Sequence, residues 1–246
     1  MKPAKPLLVP IPVSFGKNLN VDYRGTKAFS SKMDVETKKV FRNVSPEQRL
    51  FVLKRIGENA KFFMKKVTPR SREIRNYLEK NGIRVEKEVA ILEKGFSIFK
   101  RAGITLGSYE GIKFVKRNPE LLDKIASEIA KMHSLGVSHN HLHHGNIILT
   151  PKGEVIFIDF GKAIKADLNV KGKKQKEALR KKFNQELNVA ATFLSLTYWN
   201  AKEFGVINKF VKRRTPQEKF VQSKAQYFKV QIASNYSEPL KKIMFA

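Results

Sequence analysis

The first half of the chain alternates short apolar runs with polar breaks, a pattern that predicts two strands followed by a helix. Residues 50–56 and 60–67 are β-prone runs separated by Gly57-Glu58-Asn59, which is typical of a β-hairpin. Apolar residues then recur at intervals of three and four, which predicts a helix from about residue 72 or 84 to residue 100, with Gly82 as a candidate break. The apolar stripe of this helix is Val85, Val89, Leu92, Phe96 and Phe99.

A more regular helical pattern follows. The glycine-punctuated residues 104–115 suit one or two strands and a crossover. After them, Asn118 is placed to cap a helix, Pro119 to occupy its first position and Gly136 to end it. The predicted buried face of this helix is Leu121, Leu122, Ile125, Ile129 and Met132.

The remaining pattern predicts a second hairpin and a helical C-terminal part. Residues 146–150 and 154–159 are apolar runs joined by Pro151-Lys152-Gly153, and residues 187–199 have helical character. Residues 1–35 show no sustained period, so we expect an irregular N-terminal arm.

Composition narrows the classes of protein and of site. The chain has 246 residues, 41% of them hydrophobic, which is enough for one domain or two small lobes. The absence of cysteine excludes disulfides, thiolate zinc sites and thiol nucleophiles. The longest apolar stretches, residues 6–16 and 187–201, are interrupted and shorter than the roughly 20 residues of a membrane span. We therefore expect a cytoplasmic protein without a membrane segment.

The charge indicates an anionic partner without choosing one. A formal net charge of +27 attracts polyanions, so RNA, DNA, anionic lipid and nucleotide phosphates are all candidates, unless a lysine-rich genome explains the excess. Residues 171–182 hold seven Lys or Arg against one Glu. This segment is either a solvated charge run or a surface for a phosphate backbone.

Chemistry concentrates in one stretch, residues 139–146, followed by Asp159-Phe160-Gly161 thirteen residues after Asn146. A loop that presents Asn and a hairpin that presents Asp can place two oxygen ligands on one Mg²⁺, which shares its shell with substrate phosphates. Upstream, Lys65 on a strand is suited to neutralise phosphate oxygens, and Glu88 on the predicted helix is suited to hold that lysine.

These residues, in this order, resemble the protein-kinase-like superfamily over about residues 60–165. The motifs are Lys65, Glu88, His133-Ser-Leu-Gly136, His139-x-x-Leu142-x-x-x-Asn146 and Ile158-Asp159-Phe160-Gly161. Within the superfamily they are most similar to RIO kinases, aminoglycoside phosphotransferases and above all the kinase subunit of the KEOPS tRNA-modifying complex. The last likeness rests on the runs Lys65-Lys66-Val67-Thr68-Pro69-Arg70 and Arg84-Val85-Glu86-Lys87-Glu88.

The resemblance implies an α+β, two-lobed fold in which a β-rich small lobe precedes a mainly helical large lobe. The corresponding expected domains are the arm 1–35, a small lobe 36–115 and a large lobe 116–246. It further implies that the chain uses ATP and Mg²⁺.

The resemblance also implies roles for individual residues. Lys65 would contact the nucleotide phosphates and Glu88 would orient it, with Lys61, Lys66 and Glu86 as competitors for these two roles. The implied ligands of Mg²⁺ are Asn146 and Asp159.

One position departs from the pattern, because His141 stands where the resembled families have the catalytic aspartate. Neutral imidazole accepts a proton but supplies no negative charge to orient a hydroxyl beside Mg²⁺. The first hypothesis is therefore an atypical serine/threonine kinase-like phosphotransferase that is slow or autophosphorylating, with a protein substrate or a KEOPS-like complex as partner. The alternative is an ATP-binding pseudokinase that docks RNA, tRNA or a protein complex through its basic surface.

The histidines allow a different interpretation, since all five lie between residues 133 and 144. On an extended loop His139, His141 and His143 would point the same way, and three imidazoles suffice for a zinc ion with an open position. His133, at the end of the predicted helix, is interpreted as a structural residue with a hydrogen-bond partner.

Overall fold

The computed structural model describes residues 62–91, 95–100, 102–202 and 216–245. The predicted N-terminal arm, Lys61 and the first strand of the first hairpin lie outside these residues. The strands are β1 (Phe62–Lys66), β2 (Glu88–Ile91), β3 (Phe96–Lys100), β4 (Ile104–Thr105), β5 (Val137–Ser138), β6 (Ile147–Leu149), β7 (Val155–Phe157) and β8 (Ile164–Lys165). The helices are α1 (Pro69–Lys80), α2 (Tyr109–Arg117), α3 (Leu121–Ser134), α4 (Lys173–Lys202), α5 (Pro216–Ser234) and α6 (Glu238–Met244).

A small antiparallel sheet forms one compact unit, which contains the described residues of 62–69 and 86–102. The central strand β3 pairs with β1 on one side and β2 on the other. Glu88 lies opposite Phe99, and the register shifts between Glu88 and Ala90. The second strand of the predicted hairpin is thus confirmed as β1.

The predicted helix running to residue 100 is wrong, because β2 and β3 occupy its second half. Short apolar runs fit both the strand and the helix period, and the pattern alone does not decide between them. Gly95, in a left-handed conformation at φ +76°, turns the chain here, and its carbonyl accepts the N–H of Val67 at 2.7 Å. The helix that forms is α1, which ends at Lys80 before Gly82 (φ +79°), so the candidate break at Gly82 is confirmed.

The other compact unit contains residues 70–85 and the described residues of 103–245. This unit contains a three-stranded sheet with the order β4-β6-β7. The antiparallel pairing of β6 with β7 confirms the second predicted hairpin. Buried side chains of the helices and of this sheet form one apolar core. Its fully buried members include Leu78, Leu106, Ile125, Ile129, Ile147, Phe157, Phe183 and Leu194.

The boundary between α2 and α3 differs from the prediction. Only β4 is a strand between residues 104 and 115, because α2 begins at Tyr109, where the Ser108 Oγ accepts the N–H of Gly111 at 3.0 Å. Asn118 ends α2 instead of capping α3, since its side chain donates to the carbonyl of Phe114 at 2.9 Å.

The end of α3 matches the prediction. Gly136 has φ +75°, and a Cβ there would lie 2.2 Å from the carbonyl oxygen of Ala166. Only glycine fits this position. The chain therefore turns sharply into β5, which pairs with β8.

The basic segment lies at the start of α4, and residues 171–178 are all exposed. The helical C-terminal part is confirmed by α4, α5 and α6, and strands together with helices confirm the α+β class. Within the described ranges, the helices are too short or too polar to span a bilayer. The domain bounds 36–115 and 116–246 stay predictions.

Candidate active site

Residues 139–146, here called the site loop, link β5 to β6. The loop ends in a short 3₁₀ turn at His144–Asn146. The carbonyl of Asn146 then accepts the N–H of Ile158 at 3.0 Å. Because Ile158 precedes Asp159, this backbone bond brings the Asn146 and Asp159 positions side by side.

Two predicted site residues, Asn146 and Asp159, converge on the imidazole of a third, His141. The Nδ1 of His141 lies 3.3 Å from the Oδ2 of Asp159 and 3.4 Å from the Nδ2 of Asn146. Asn146 also donates from Nδ2 to the carbonyl of His141 at 2.8 Å. Asn146 is buried, whereas 41% of the His141 side chain and 45% of the Asp159 side chain are exposed. The amide is thus fixed, and the carboxylate and the imidazole face solvent.

The backbone of Asp159 is in the left-handed region, with φ 64° and ψ 59°. This conformation is unfavourable for a residue with a side chain and is concentrated at functional sites. The chain is held there by its neighbours. Nε2–H of buried His139 donates to the carbonyl of Ile158 at 2.8 Å, and the His139 ring lies 4.7 Å from that of Phe160. Burial lowers the pKa of His139, which keeps this imidazole neutral.

Asn146 and Asp159 fit a magnesium ion by chemistry and by position. An amide oxygen and a carboxylate are hard ligands, and Mg²⁺ needs only one or two of them beside phosphates and water. With Nδ2 of Asn146 bonded to the loop backbone, its Oδ1 is the atom left for a cation. Both side chains reach the same imidazole nitrogen, so they border one small volume.

A three-histidine zinc site is not supported. Among the residues that the structure describes, no group of three or more His, Asp or Glu side chains is arranged to hold a metal ion. His139 bonds the backbone of Ile158. The rings of His141 and His143 pack edge to face with centroids 4.9 Å apart, but Nδ1 of His141 faces Asp159 and Nδ1 of His143 accepts the N–H of Gly145.

The partner of Lys65 differs from the prediction. Its Nζ donates to Oε1 of Glu86 at 2.5 Å. The ion pair is therefore made with Glu86, the alternative to Glu88 in the sequence analysis. The side chains of Lys65 and Glu86 are 16% and 2% exposed, and Nζ lies 5.0 Å from the centre of the Phe99 ring. The prediction for Glu88 depends on a helix, but Glu88 belongs to β2. Along a strand successive side chains alternate between the two faces of the sheet and do not follow the helical period.

Comparison with known proteins identifies the family to which the chain belongs. A family model described as "Lipopolysaccharide kinase (Kdo/WaaP) family" matches residues 22–204, which is more than half of the chain. The chain belongs to this family.

Two curated relatives agree with the family. The chain is 34% identical over 89 residues to a 3-deoxy-D-manno-octulosonic acid kinase of Vibrio parahaemolyticus, a match that covers 36% of this chain and 35% of the relative. It is 33% identical over 87 residues to the enzyme of the same name from Vibrio vulnificus, with 35% of each chain covered. The chain thus matches about a third of the length of these relatives.

Membership of the Kdo/WaaP family confirms the resemblance to the protein-kinase-like superfamily and to its kinases. Both relatives are named for a sugar and not for a serine or threonine of a protein, so the predicted serine/threonine acceptor finds no support in these matches. The expected likeness to KEOPS, RIO and aminoglycoside kinases and the KEOPS or RNA partners find no support in these matches.

One residue at the site was missed by sequence reasoning. Glu186 of α4 is buried and accepts the backbone N–H groups of His139 and Asn140, each at 3.0 Å. A signal was present, because Glu186 lies between Phe183 and Leu187 on the apolar face of a helix. A carboxylate in that position requires a buried partner.

Proposed function

We propose that this Kdo/WaaP family member transfers the γ-phosphoryl group of ATP to a hydroxyl group of 3-deoxy-D-manno-octulosonic acid in lipopolysaccharide. The family and the names of the two relatives support this substrate class. The observation that carries the chemistry is the convergence of His141, Asn146 and Asp159. The acceptor is a sugar acid, and a chain of net charge +27 attracts it and the nucleotide alike.

Asn146 and Asp159 are the residues that would hold Mg²⁺, which when bound neutralises phosphate charge and draws the phosphate oxygens into position. His141 is proposed to accept the proton of the attacking hydroxyl. Its Nδ1 faces the Asp159 carboxylate, so a proton on Nδ1 leaves the lone pair of Nε2 available. Asp159 thus fixes the tautomer of the proton acceptor.

The nucleotide role of Lys65 remains a prediction from the resemblance. In this proposal Glu86, not Glu88, holds its ammonium group. A lysine fixed by a buried carboxylate is a preorganised point charge for phosphate oxygens. The cytoplasmic location likewise stays a prediction.

The test is phosphate transfer from radiolabelled ATP to lipopolysaccharide that contains 3-deoxy-D-manno-octulosonic acid. We expect transfer by the natural protein with Mg²⁺, and a loss of at least about 10³-fold in Asp159→Ala, because metal-mediated charge stabilisation supplies several kcal/mol. Asp167→Ala is the matched control, since Asp167 is an exposed carboxylate that accepts the nearby N–H of Asn169. Its transfer rate should equal that of the natural protein.

Two results would contradict the proposal. Equal transfer by Asp159→Ala and the natural protein would remove the metal role of Asp159. ATP binding with no label on the sugar, under conditions where ATP is saturating, would favour the pseudokinase alternative.

A further inference from the structure

We propose that one exposed face of α4 binds an anionic lipid surface. The face is a row of residues at intervals of three and four, and every one of them is exposed. This row, here called the α4 stripe, consists of Lys174, Ala178, Lys181, Gln185, Val189, Thr192 and Leu196. Such spacing keeps side chains on one side of a helix, so the stripe extends about 33 Å along α4.

The first part of the stripe is basic, and its charge has no partner within the described part of the chain. Residues 171–178 are all exposed, and neither Lys174 nor Lys181 makes an ion pair with another described residue. The first turn of α4 has no acidic residue, although the helix dipole favours negative charge there. These lysines therefore do not stabilise the helix and are available to an external anion.

The second part of the stripe is apolar. Val189 and Leu196 are 45% and 43% exposed, whereas Phe183, Leu187 and Leu194 of the same helix are buried in the core. A helix face that only meets water usually alternates positive and negative charges. The α4 stripe has no acidic residue and exposes two aliphatic side chains, so its pattern differs from that of a merely solvated face.

This combination fits a lipid surface. A basic helix face that also presents aliphatic side chains is typical of binding in the interface of a membrane. The lysines would be attracted to acidic headgroups, and Val189 and Leu196 would leave water at the boundary of the acyl chains. Single-stranded nucleic acid fits less well, because its bases stack on aromatic rings and the stripe has none.

The inference does not rest on the proposed function, although the two are compatible. Lipopolysaccharide carries its sugars on a lipid, so binding to a lipid surface would raise the effective concentration of that acceptor. Vesicle binding is measured without ATP and without acceptor. Failure of phosphate transfer and failure of lipid binding are therefore separate results.

The experiment measures co-sedimentation of the full chain with vesicles. Vesicles of phosphatidylcholine with about one third phosphatidylglycerol should bind the protein, and vesicles of phosphatidylcholine alone should not. Lys174→Gln combined with Lys181→Gln should weaken binding about 25-fold, because each lysine near an anionic surface contributes about fivefold. Val189→Ser combined with Leu196→Ser should weaken it about tenfold, since less apolar surface then leaves water.

The matched control is Lys80→Gln combined with Lys152→Gln, which removes the same charge from exposed positions outside α4. It should change vesicle binding less than about twofold, because these charges lie outside the bound face. The substituted side chains are all exposed, so the midpoint of urea denaturation should be the same for each variant and the natural protein.

Three results would overturn the inference. The first is equal binding to the two kinds of vesicle, or binding to neither. The second is equal weakening by the control and by the lysine variant of the stripe, which would show that only the overall charge matters. The third is full binding by the serine variant together with tighter binding of single-stranded RNA than of vesicles, which would assign the stripe to nucleic acid.

Discussion

The site loop with its hairpin and the small sheet that carries Lys65 show how differently two regions of the molecule depend on the sequence. In the first region, the predicted residues His141, Asn146 and Asp159 come together as expected. In the second, Lys65 is held by Glu86 in place of the predicted Glu88. A short hairpin fixes the distance between its two ends, whereas a pair of strands fixes its contacts only once the register is known.

The two regions also differ in burial. The Lys65–Glu86 pair is nearly enclosed, with side-chain exposures of 16% and 2%, whereas the corresponding values for His141 and Asp159 are 41% and 45%. Removing one partner of a buried pair leaves a charge without compensation, but exposed pairs contribute little to stability. Mutations in the small sheet should therefore affect folding and those on the loop mainly chemistry.

The largest effect on stability is expected from Glu86→Gln. Loss of this carboxylate leaves the Lys65 ammonium partly buried without its partner, which should lower the free energy of unfolding by about 3 kcal/mol. Glu88→Gln, two residues away, is the comparison, and its loss should be smaller than that of Glu86→Gln, because the structure pairs Lys65 with Glu86. Urea denaturation measures both values. Equal losses would show that the two carboxylates share the role and would restore the predicted Glu88.

Much of the site loop was predictable because its geometry is local. Asn146 and Asp159 flank a hairpin of short strands, and an apolar run on each side of Pro151-Lys152-Gly153 predicts such a hairpin from sequence. The superfamily resemblance rested on the same spacing, and the family match confirms it at that level.

The rest depends on contacts that the pattern does not encode. Stripe residues 85–99 fit the helix period, yet Gly95 and the pairing with β1 make residues 96–100 a strand. Glu186 lies 46 residues from Asn140 in sequence, and only the packing of α4 joins them. The proposed sugar acceptor likewise comes from the names of the relatives and not from any residue pattern identified in the sequence.

A second prediction separates chemistry from stability on the exposed face of the loop. His141→Ala should lower the transfer rate about 100-fold, the lower end of the contribution of a positioned general base. Its free energy of unfolding should change by less than about 1 kcal/mol, since the contact with Asp159 is half-exposed. His141→Asp should retain more activity than His141→Ala, because a carboxylate also accepts a proton. A fully active His141→Ala protein would exclude His141 as the base.

The smallest change in the free energy of unfolding is expected on lowering the pH. It tests the contacts of the buried residue His139 in the site loop. Burial lowers the pKa of His139 from its usual 6.5, so the folded protein favours the neutral ring. The stabilisation is complete above pH 6.5 and is lost as the pH falls from there toward the folded-state pKa, because the unfolded chain binds the additional proton. One proton contributes at most about 1.4 kcal/mol per pH unit within this window.

Urea denaturation between pH 7.5 and pH 5 should therefore show stability decreasing with acid, and His139→Gln should reduce that slope. Glutamine keeps a donor for the carbonyl of Ile158 but does not titrate, so the difference in slope reports the histidine alone. The lowered pKa of Glu186 acts in a separate window, since its stabilisation is complete above pH 4.5 and decreases below it. Identical slopes for the natural protein and His139→Gln above pH 5 would show that His139 is not held neutral, and the loop would then lack this link between its buried core and Asp159.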